Sequence, residues 1–313
     1  MILIHTNVYF LSNKISYYTL EFSQFAVVAF IFCSAYLFYL KQQIYRWSNF
    51  FVHLGRRIKR LVIPYYCFFA VYYLFLLLKE PKKLTLPYLI QNMFVIGGLD
   101  FNWLVLLFIE LAILMPFISY LFERKKVWFY VYSAIAIISS LVFLKYTPLP
   151  YYRFIMWLPW SLILIYTYIF DRIKKQTKLF LLITIISFML YYLLSQFVLK
   201  PLGHSLFMYD NKYPPNIYHL TYGIFCVNGI YMLSQWRLFS NYAAQTIIHF
   251  FSTNSYTIFF IHILVIYIVT VFFHFHFTWI TFFCTVTGLT MLLQLLYNEV
   301  VYLFSTLNKG PTI

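Results

Sequence analysis

His5 stands in the run Ile2-Leu3-Ile4-His5-Thr6, where every neighbour before it is apolar. An imidazole titrates near neutrality, so it can take a proton from a hydroxyl, as acyl transfer to an alcohol requires. A histidine near a helix end, hydrogen-bonded to a neighbour, is the plainer reading, and the residue alone leaves both open. A second constellation is Arg56-Arg57-Ile58-Lys59-Arg60 ahead of Leu61-Val62-Ile63-Pro64-Tyr65, four cations at the mouth of an apolar stretch. Arginine forks match phosphate oxygens, and Arg57 and Arg60 share a face if the segment is helical. The alternative is orientation in a bilayer with contact to anionic headgroups.

Two further polar groups sit inside apolar stretches. His262 closes Ser255-Tyr256-Thr257-Ile258-Phe259-Phe260-Ile261, Glu110 lies one run after the opening pair Asn102-Trp103, and each either joins a relay or fixes packing. A His–Glu relay is conceivable chemistry, but the sequence does not bring the two together. His274 and His276 have metal-pair spacing, yet no carboxylate or Cys lies near them, so an interfacial place suits them better and no metal site is expected. Cys33, Cys67, Cys226 and Cys284 are widely spaced in apolar surroundings and read as small core residues. No Gly-rich phosphate loop, GxSxG elbow or HExxH is present, which removes support for ATP-driven transport and serine hydrolysis.

The elements that must hold these groups are helices in lipid. Of 313 residues, 63% are hydrophobic and 10% charged, against about 25% charged in an ordinary soluble domain. A particle of this size has too little interior to hide that much apolar surface from water, so lipid is the expected second solvent. The 37 Phe and 31 Tyr suit helix interfaces and headgroup belts. Runs long enough to span fall at 21–40, 61–78, 101–122, 127–145, 153–170, 178–199, 216–235, 255–274 and 278–304, with the first dozen residues a shorter tenth candidate. The expectation is all-α, about ten transmembrane helices in one bundle, and a single domain over 1–313. Met1–Phe10 has no basic stretch and no small-residue cleavage site, so no secretory leader is expected.

The net charge of +15 does not point to nucleic acid, because the cations lie in short runs between apolar stretches. Loops holding Lys41, Arg46, the 56–60 cluster, Arg124–Lys126, Arg172–Lys178, Arg237 and Lys309 carry 15 of them, and the alternate loops carry 8. That alternation places the richer set in the cytoplasm, both termini with it, in a cell membrane. The alternate loops then face outward and hold Pro81, Pro87, Gly97, Gly98, Pro148, Pro150, Pro201, Gly203, Pro214 and Pro215; the longest of them, 79–100 and 199–216, also hold Asp100, His204, Asp210 and Asn211. Such loops are either ligand-holding or plain solvated connectors.

In this order the segments resemble the membrane-bound acyltransferase family 3. His5-Thr6 is similar to the end of its first-helix motif, and Phe25-Ala26-Val27-Val28-Ala29-Phe30-Ile31-Phe32-Cys33-Ser34-Ala35-Tyr36 to its Phe-rich second helix, with Ala35 where the family prefers Gly. Arg57-Ile58-Lys59-Arg60 with Pro64-Tyr65 resembles its Arg-x-x-Arg run. Asn102-Trp103 with Pro116 resembles its Trp-Phe…Pro helix, and Ser255–His262 its late Ser-Tyr-x-Ile-Tyr-Leu-x-His. The family's usual Phe-x-x-Gly is missing around Trp157-Leu158-Pro159-Trp160-Ser161, and only Met1–Ile4 precede His5, where the family carries an Arg several turns earlier. A shortened N-terminus is the corresponding expectation.

The resemblance implies an acyltransferase that moves an acetyl or succinyl group from cytoplasmic acyl-CoA, a co-substrate and not a tightly bound cofactor, to a hydroxyl of an extracytoplasmic polysaccharide or other glycan. His5 would be catalytic; Arg56, Arg57, Lys59 and Arg60 would bind the donor; Glu110, Trp103 and His262 would stand behind them. The partners would be acyl-CoA, the glycan and the bilayer. The rival readings are a non-catalytic polysaccharide export component and a degenerate family member. Export would be favoured by broken helices at matching places in two halves, and no such symmetry is visible.

Overall fold

The computed structural model describes residues 1–41, 50–148, 151–273 and 276–307, and the regular elements among them are helical. Arg46, Pro150, His274 and Lys309 lie outside the described residues. In chain order the α-helices are α1 (Ile2–Asn7), α2 (Lys14–Phe22), α3 (Ala26–Lys41), α4 (Phe50–Lys79), α5 (Leu86–Met93), α6 (Asn102–Arg124) and α7 (Lys126–Val142). They continue with α8 (Tyr152–Ile155), α9 (Trp157–Ile173), α10 (Thr177–Leu194), α11 (Ile217–Ser234), α12 (Tyr242–Phe272) and α13 (Trp279–Leu307).

Among the described residues, seven helical stretches are long and apolar enough to cross a bilayer: Lys14–Lys41, Phe50–Lys79, Asn102–Arg124, Tyr152–Ile173, Thr177–Leu199, Tyr242–Phe272 and Trp279–Phe304. A helix satisfies all its backbone groups internally, which hydrocarbon demands of any spanning segment. The apolar α7 is shorter. α11 has the length but carries His219, Thr221 and Asn228, and is not among the seven.

Local chemistry sets several helix starts. The Asn13 side chain accepts from the Ile15 and Ser16 amides at 3.0 and 3.2 Å, which ends the first apolar run and begins α2. Asn216 and Asn241 cap α11 and α12 in the same way, at 3.1 and 2.7 Å. The stretch 79–100, expected as loop, contains α5, opened by Thr85 accepting from the Tyr88 amide, with Pro87 in the first turn. α4 and α12 begin well before the expected 61 and 255. Their opening turns are too polar to register as apolar runs, yet nothing in Phe50–Leu61 or Tyr242–Ser255 is proline, so the hydrogen-bonded spiral continues.

The chain divides into two compact units. One comprises Met1–Ser23, Pro64–Lys83 and Trp236–Ile313; the other comprises Gln24–Ile63 and Leu84–Gln235, so the division falls at Pro64 inside α4. In the first unit α1 packs on α12 and α13 over a core of Val265, Ile266, Val269, Phe282 and Val286. Ser16 donates to the buried carbonyl of Asn7 at 3.1 Å and ties α2 to the last turn of α1.

In the second unit α9 is central and touches α3, α6, α7 and α11, burying Trp160, Ile163, Leu164 and Phe170. Lipid tails are as apolar as leucine, so close packing and interhelical hydrogen bonds hold such helices together. Tyr166 donates to Asn228 at 2.5 Å and Asn228 to Thr184 at 2.9 Å, which pins α9, α11 and α10 at one level. Gly223 lets α11 approach Val28 of α3 so closely that a Cβ there would collide with the valine side chain. The opposite faces expose Ile135, Ile138 and Val142 on α7, and Leu182, Ile185 and Met189 on α10, as lipid-facing surfaces do.

Candidate active site

In the first unit, α1 brings His5 against α12. The His5 and His262 ring centroids are 5.2 Å apart at an interplanar angle of 48°, and Phe259 lies 6.2 Å from His5 and 5.6 Å from His262. Thr6 anchors the short helix by donating to the Ile2 carbonyl at 3.0 Å. His262 is fully buried, and its Nδ1 lies 2.9 Å from the Ile258 carbonyl. A carbonyl only accepts, so Nδ1 carries the proton, and Nε2 of the neutral ring is a bare acceptor. That Nε2 has no hydrogen-bond partner. Behind it, Phe260 packs against Tyr65, Phe68 and Tyr256 at 6.1, 5.1 and 4.9 Å, which fixes the turn that carries His262.

The same unit contains a polar stripe that sequence reading missed. Thr287, Thr290, Gln294 and Asn298 recur along one face of α13. Thr290 and Gln294 are fully buried; Gln294 donates to Asn254 at 3.1 Å and to Asn298 at 2.8 Å. The Thr287 and Thr290 hydroxyls, the Gln294 oxygen and the whole Asn7 amide, itself fully buried, have no partner. Buried polar groups are nearly always satisfied, so a stripe of unsatisfied ones in an apolar helix is suited to water or a polar substrate. The signal was available in the spacing of Thr, Gln and Asn within 278–304.

The second unit holds the other candidates. Arg57 turns inward and donates to the Ser34 hydroxyl, and its Nε is buried without a partner. Arg56, Lys59 and Arg60 are exposed, with Arg60 close enough for Arg57 to feel its charge. The ends of α3, α6 and α9 gather at one pole of this unit. There Lys174 donates to Tyr36 and pairs with Asp171 at 2.7 Å, Tyr168 donates to Glu123 at 3.1 Å, and Arg172 lies 4.9 Å over Phe122. A cavity of about 370 Å³ opens between Phe122, Glu123, Lys126, Phe129, Tyr130 and Arg172.

The opposite pole of this unit is built from 84–100, which includes α5, and from 199–216. Asn102 donates to Asn92 at 3.2 Å and to the Gly97 carbonyl, and accepts from Arg153. Gly98, with φ +80°, passes so near the Asn92 amide that a side chain would collide with it. Trp103 is buried there, 4.7 Å edge-on from Tyr213. Lys212 is buried beneath the same rings and donates to Gln24 at 3.1 Å. Burial pushes its ammonium down to about 7, and burial likewise raises the Tyr213 phenol well above its ordinary range.

Of the expected site residues, His5 and His262 meet in the first unit, and Arg57 and Arg60 lie near each other in the second. Trp103 belongs to the aromatic cluster around Lys212. Glu110 is half-buried in α6 with one carboxylate oxygen unpartnered, in the unit that does not contain His262. Two imidazoles in ring contact, in a chain whose helices are apolar enough to span a bilayer, mark a membrane protein with a histidine pair. The acyltransferase family 3 model, described as an acyltransferase domain, matches residues 1–298, and the chain belongs to that family. No curated protein and no solved structure matches it.

Proposed function

We propose that the protein is a membrane O-acyltransferase that moves an acetyl or succinyl group from cytoplasmic acyl-CoA to a hydroxyl of an extracytoplasmic glycan. Family membership supports the reaction class. The observation that carries the assignment of residues is the His5–His262 contact, with the His262 Nδ1 proton committed to Ile258. In this reading a ring nitrogen of His5 is the base, and the His262 ring packed beside it holds the imidazole in place. His5 then takes the proton from the acceptor hydroxyl while its oxygen attacks the thioester carbonyl. The acyl–sulfur bond breaks, the acyl–oxygen bond forms, and the proton passes from His5 to the departing CoA thiolate.

In this reading the cation-rich pole of the second unit faces the cytoplasm, as do both termini, and about ten passes through the cell membrane form one domain. Arg56, Arg57, Lys59 and Arg60, with Lys126 and Arg172 at the cavity, attract the phosphates of the donor. The test is the acyl content of surface glycan, measured by NMR in cells whose only copy is His5→Ala or His262→Phe. His5→Ala is expected to remove acylation. His262→Phe keeps an aromatic ring but has no ring nitrogen, and is expected to lower acylation strongly. Unchanged acyl content in His5→Ala cells overturns the assignment.

A further inference from the structure

The ammonium of Lys212 has one hydrogen-bond acceptor, Gln24, and otherwise faces ring surfaces: Tyr213 at 4.9 Å, Tyr209 at 5.0 Å and Trp103 at 5.7 Å. Among the described residues no carboxylate pairs with it. Buried cations are ordinarily paired, because leaving one alone in a poorly solvating interior is costly. The same pole holds other unspent polar groups. His219 is fully buried within electrostatic reach of Lys212, and neither ring nitrogen meets hydrogen-bond geometry, although the Met208 carbonyl faces the ring. Trp160 stacks edge-on to His219 at 5.7 Å, and its indole N–H has no partner. The inventory is rich in donors and poor in acceptors, so the group that completes it is an anion. Beside it, Tyr152, Tyr209 and Tyr213 form a connected set of rings at 5.7 and 5.3 Å, with Arg153 over Tyr152. Flat aromatic faces with adjacent cations suit the C–H faces and charged substituents of a sugar.

We propose that Lys212, caged by Trp103, Tyr209 and Tyr213, receives the anionic substituent, a carboxylate or a phosphate ester, of the glycan acceptor. This rests on the acyltransferase reading for the identity of the ligand as acceptor. Tyr209 is 42% exposed and is the outermost ring of the cage, so it is the side chain that moves aside to admit the anion. Asp100 and Asp210 are exposed at the rim, and the Tyr209 phenol feels both charges. They repel a free anion, a repulsion that Lys212 among the rings overcomes with the help of Arg153 beside Tyr152.

The experiment is calorimetric titration of the full chain in lipid nanodiscs with a trigalacturonate, a hexose phosphate and a neutral trisaccharide. The expected result is at least about tenfold tighter binding of an anionic sugar than of the neutral one, as one charge-assisted hydrogen bond supplies. The uronate and phosphate arms tell which anion the site takes. Lys212→Met should abolish the preference, and Lys212→Arg should retain most of it. Equal binding of neutral and anionic sugars by the wild type, no sugar binding at all, or a preference that survives Lys212→Met overturns the proposal; the first two need no variant. If anionic sugars bind through Lys212 yet no acyl group is ever transferred, the acyltransferase reading fails and this site stands. Acylation of a neutral glycan that is indifferent to Lys212→Met has the opposite meaning.

Discussion

A lysine folded away from water without a carboxylate beside it is a burden on stability, and Lys212 carries that burden in a way that depends on pH. Its ammonium is held at about 7 in the fold, against about 10.4 in an unfolded chain. Between these values the unfolded chain binds the extra proton, so stability rises with pH across that window. Below about 7 both states are charged and the whole cost of burial is felt. Lys212→Met should therefore melt higher than wild type at pH 6, and the gap should narrow toward pH 10. A gap that stays constant or widens means that the lysine is not buried as a cation. Retention of so costly a residue is what a binding role explains and a packing role does not. In the sequence, Lys212 stands in Tyr209-Asp210-Asn211-Lys212-Tyr213-Pro214-Pro215, which reads as a solvated loop. Its burial follows from partners such as Gln24 and Trp103, more than a hundred positions away in the chain, and no local pattern encodes them. His5 and His262 were legible one by one, because an imidazole in an apolar run is conspicuous, but their contact was not.

At the scale of elements, the crossing of α3 and α11 is set by the absence of a side chain at Gly223, against Val28. Gly229 on the same helix has open space around it. An alanine gains about 1 kcal/mol of helix propensity at either position, but overpacking costs about 1–3 kcal/mol where the space is filled. Gly223→Ala should therefore lower the melting temperature, and Gly229→Ala should raise it or leave it unchanged. A shift in the same direction at both positions contradicts the close approach. Helices whose apolar runs were unbroken were readable in advance: 101–122 became Asn102–Arg124, and 153–170 lies within Tyr152–Ile173. Helices with mixed opening turns were not, because polar residues at their starts mask continuation: α12 begins at Tyr242 with Gln245, His249 and Ser252 ahead of its apolar part. The α13 stripe was hidden for a related reason, since an excess of apolar neighbours outweighs a Thr or Gln in every third or fourth place.

For the whole molecule, the charge alternation and the second unit agree. Arg124, Lys126, Arg172 and Lys174 come from loops assigned to one side by sequence, and the contacts Arg172–Phe122 and Tyr168–Glu123 bring the ends of α6 and α9 to one pole. Arg153–Asn102 and Lys212–Gln24 gather the loops assigned to the other side at the opposite pole. The second unit thus carries cations at one pole and the aromatic rings around Lys212 at the other, and the first unit carries the His5–His262 pair. The direct measurement uses the full chain in sealed proteoliposomes, with acyl-labelled acyl-CoA on one side and an acidic glycan on the other. The account predicts label on the glycan across the membrane, and a fall of about a hundredfold or more for His5→Ala, the scale of losing a general base. Label that crosses equally well without the His5 imidazole, or never crosses, contradicts it.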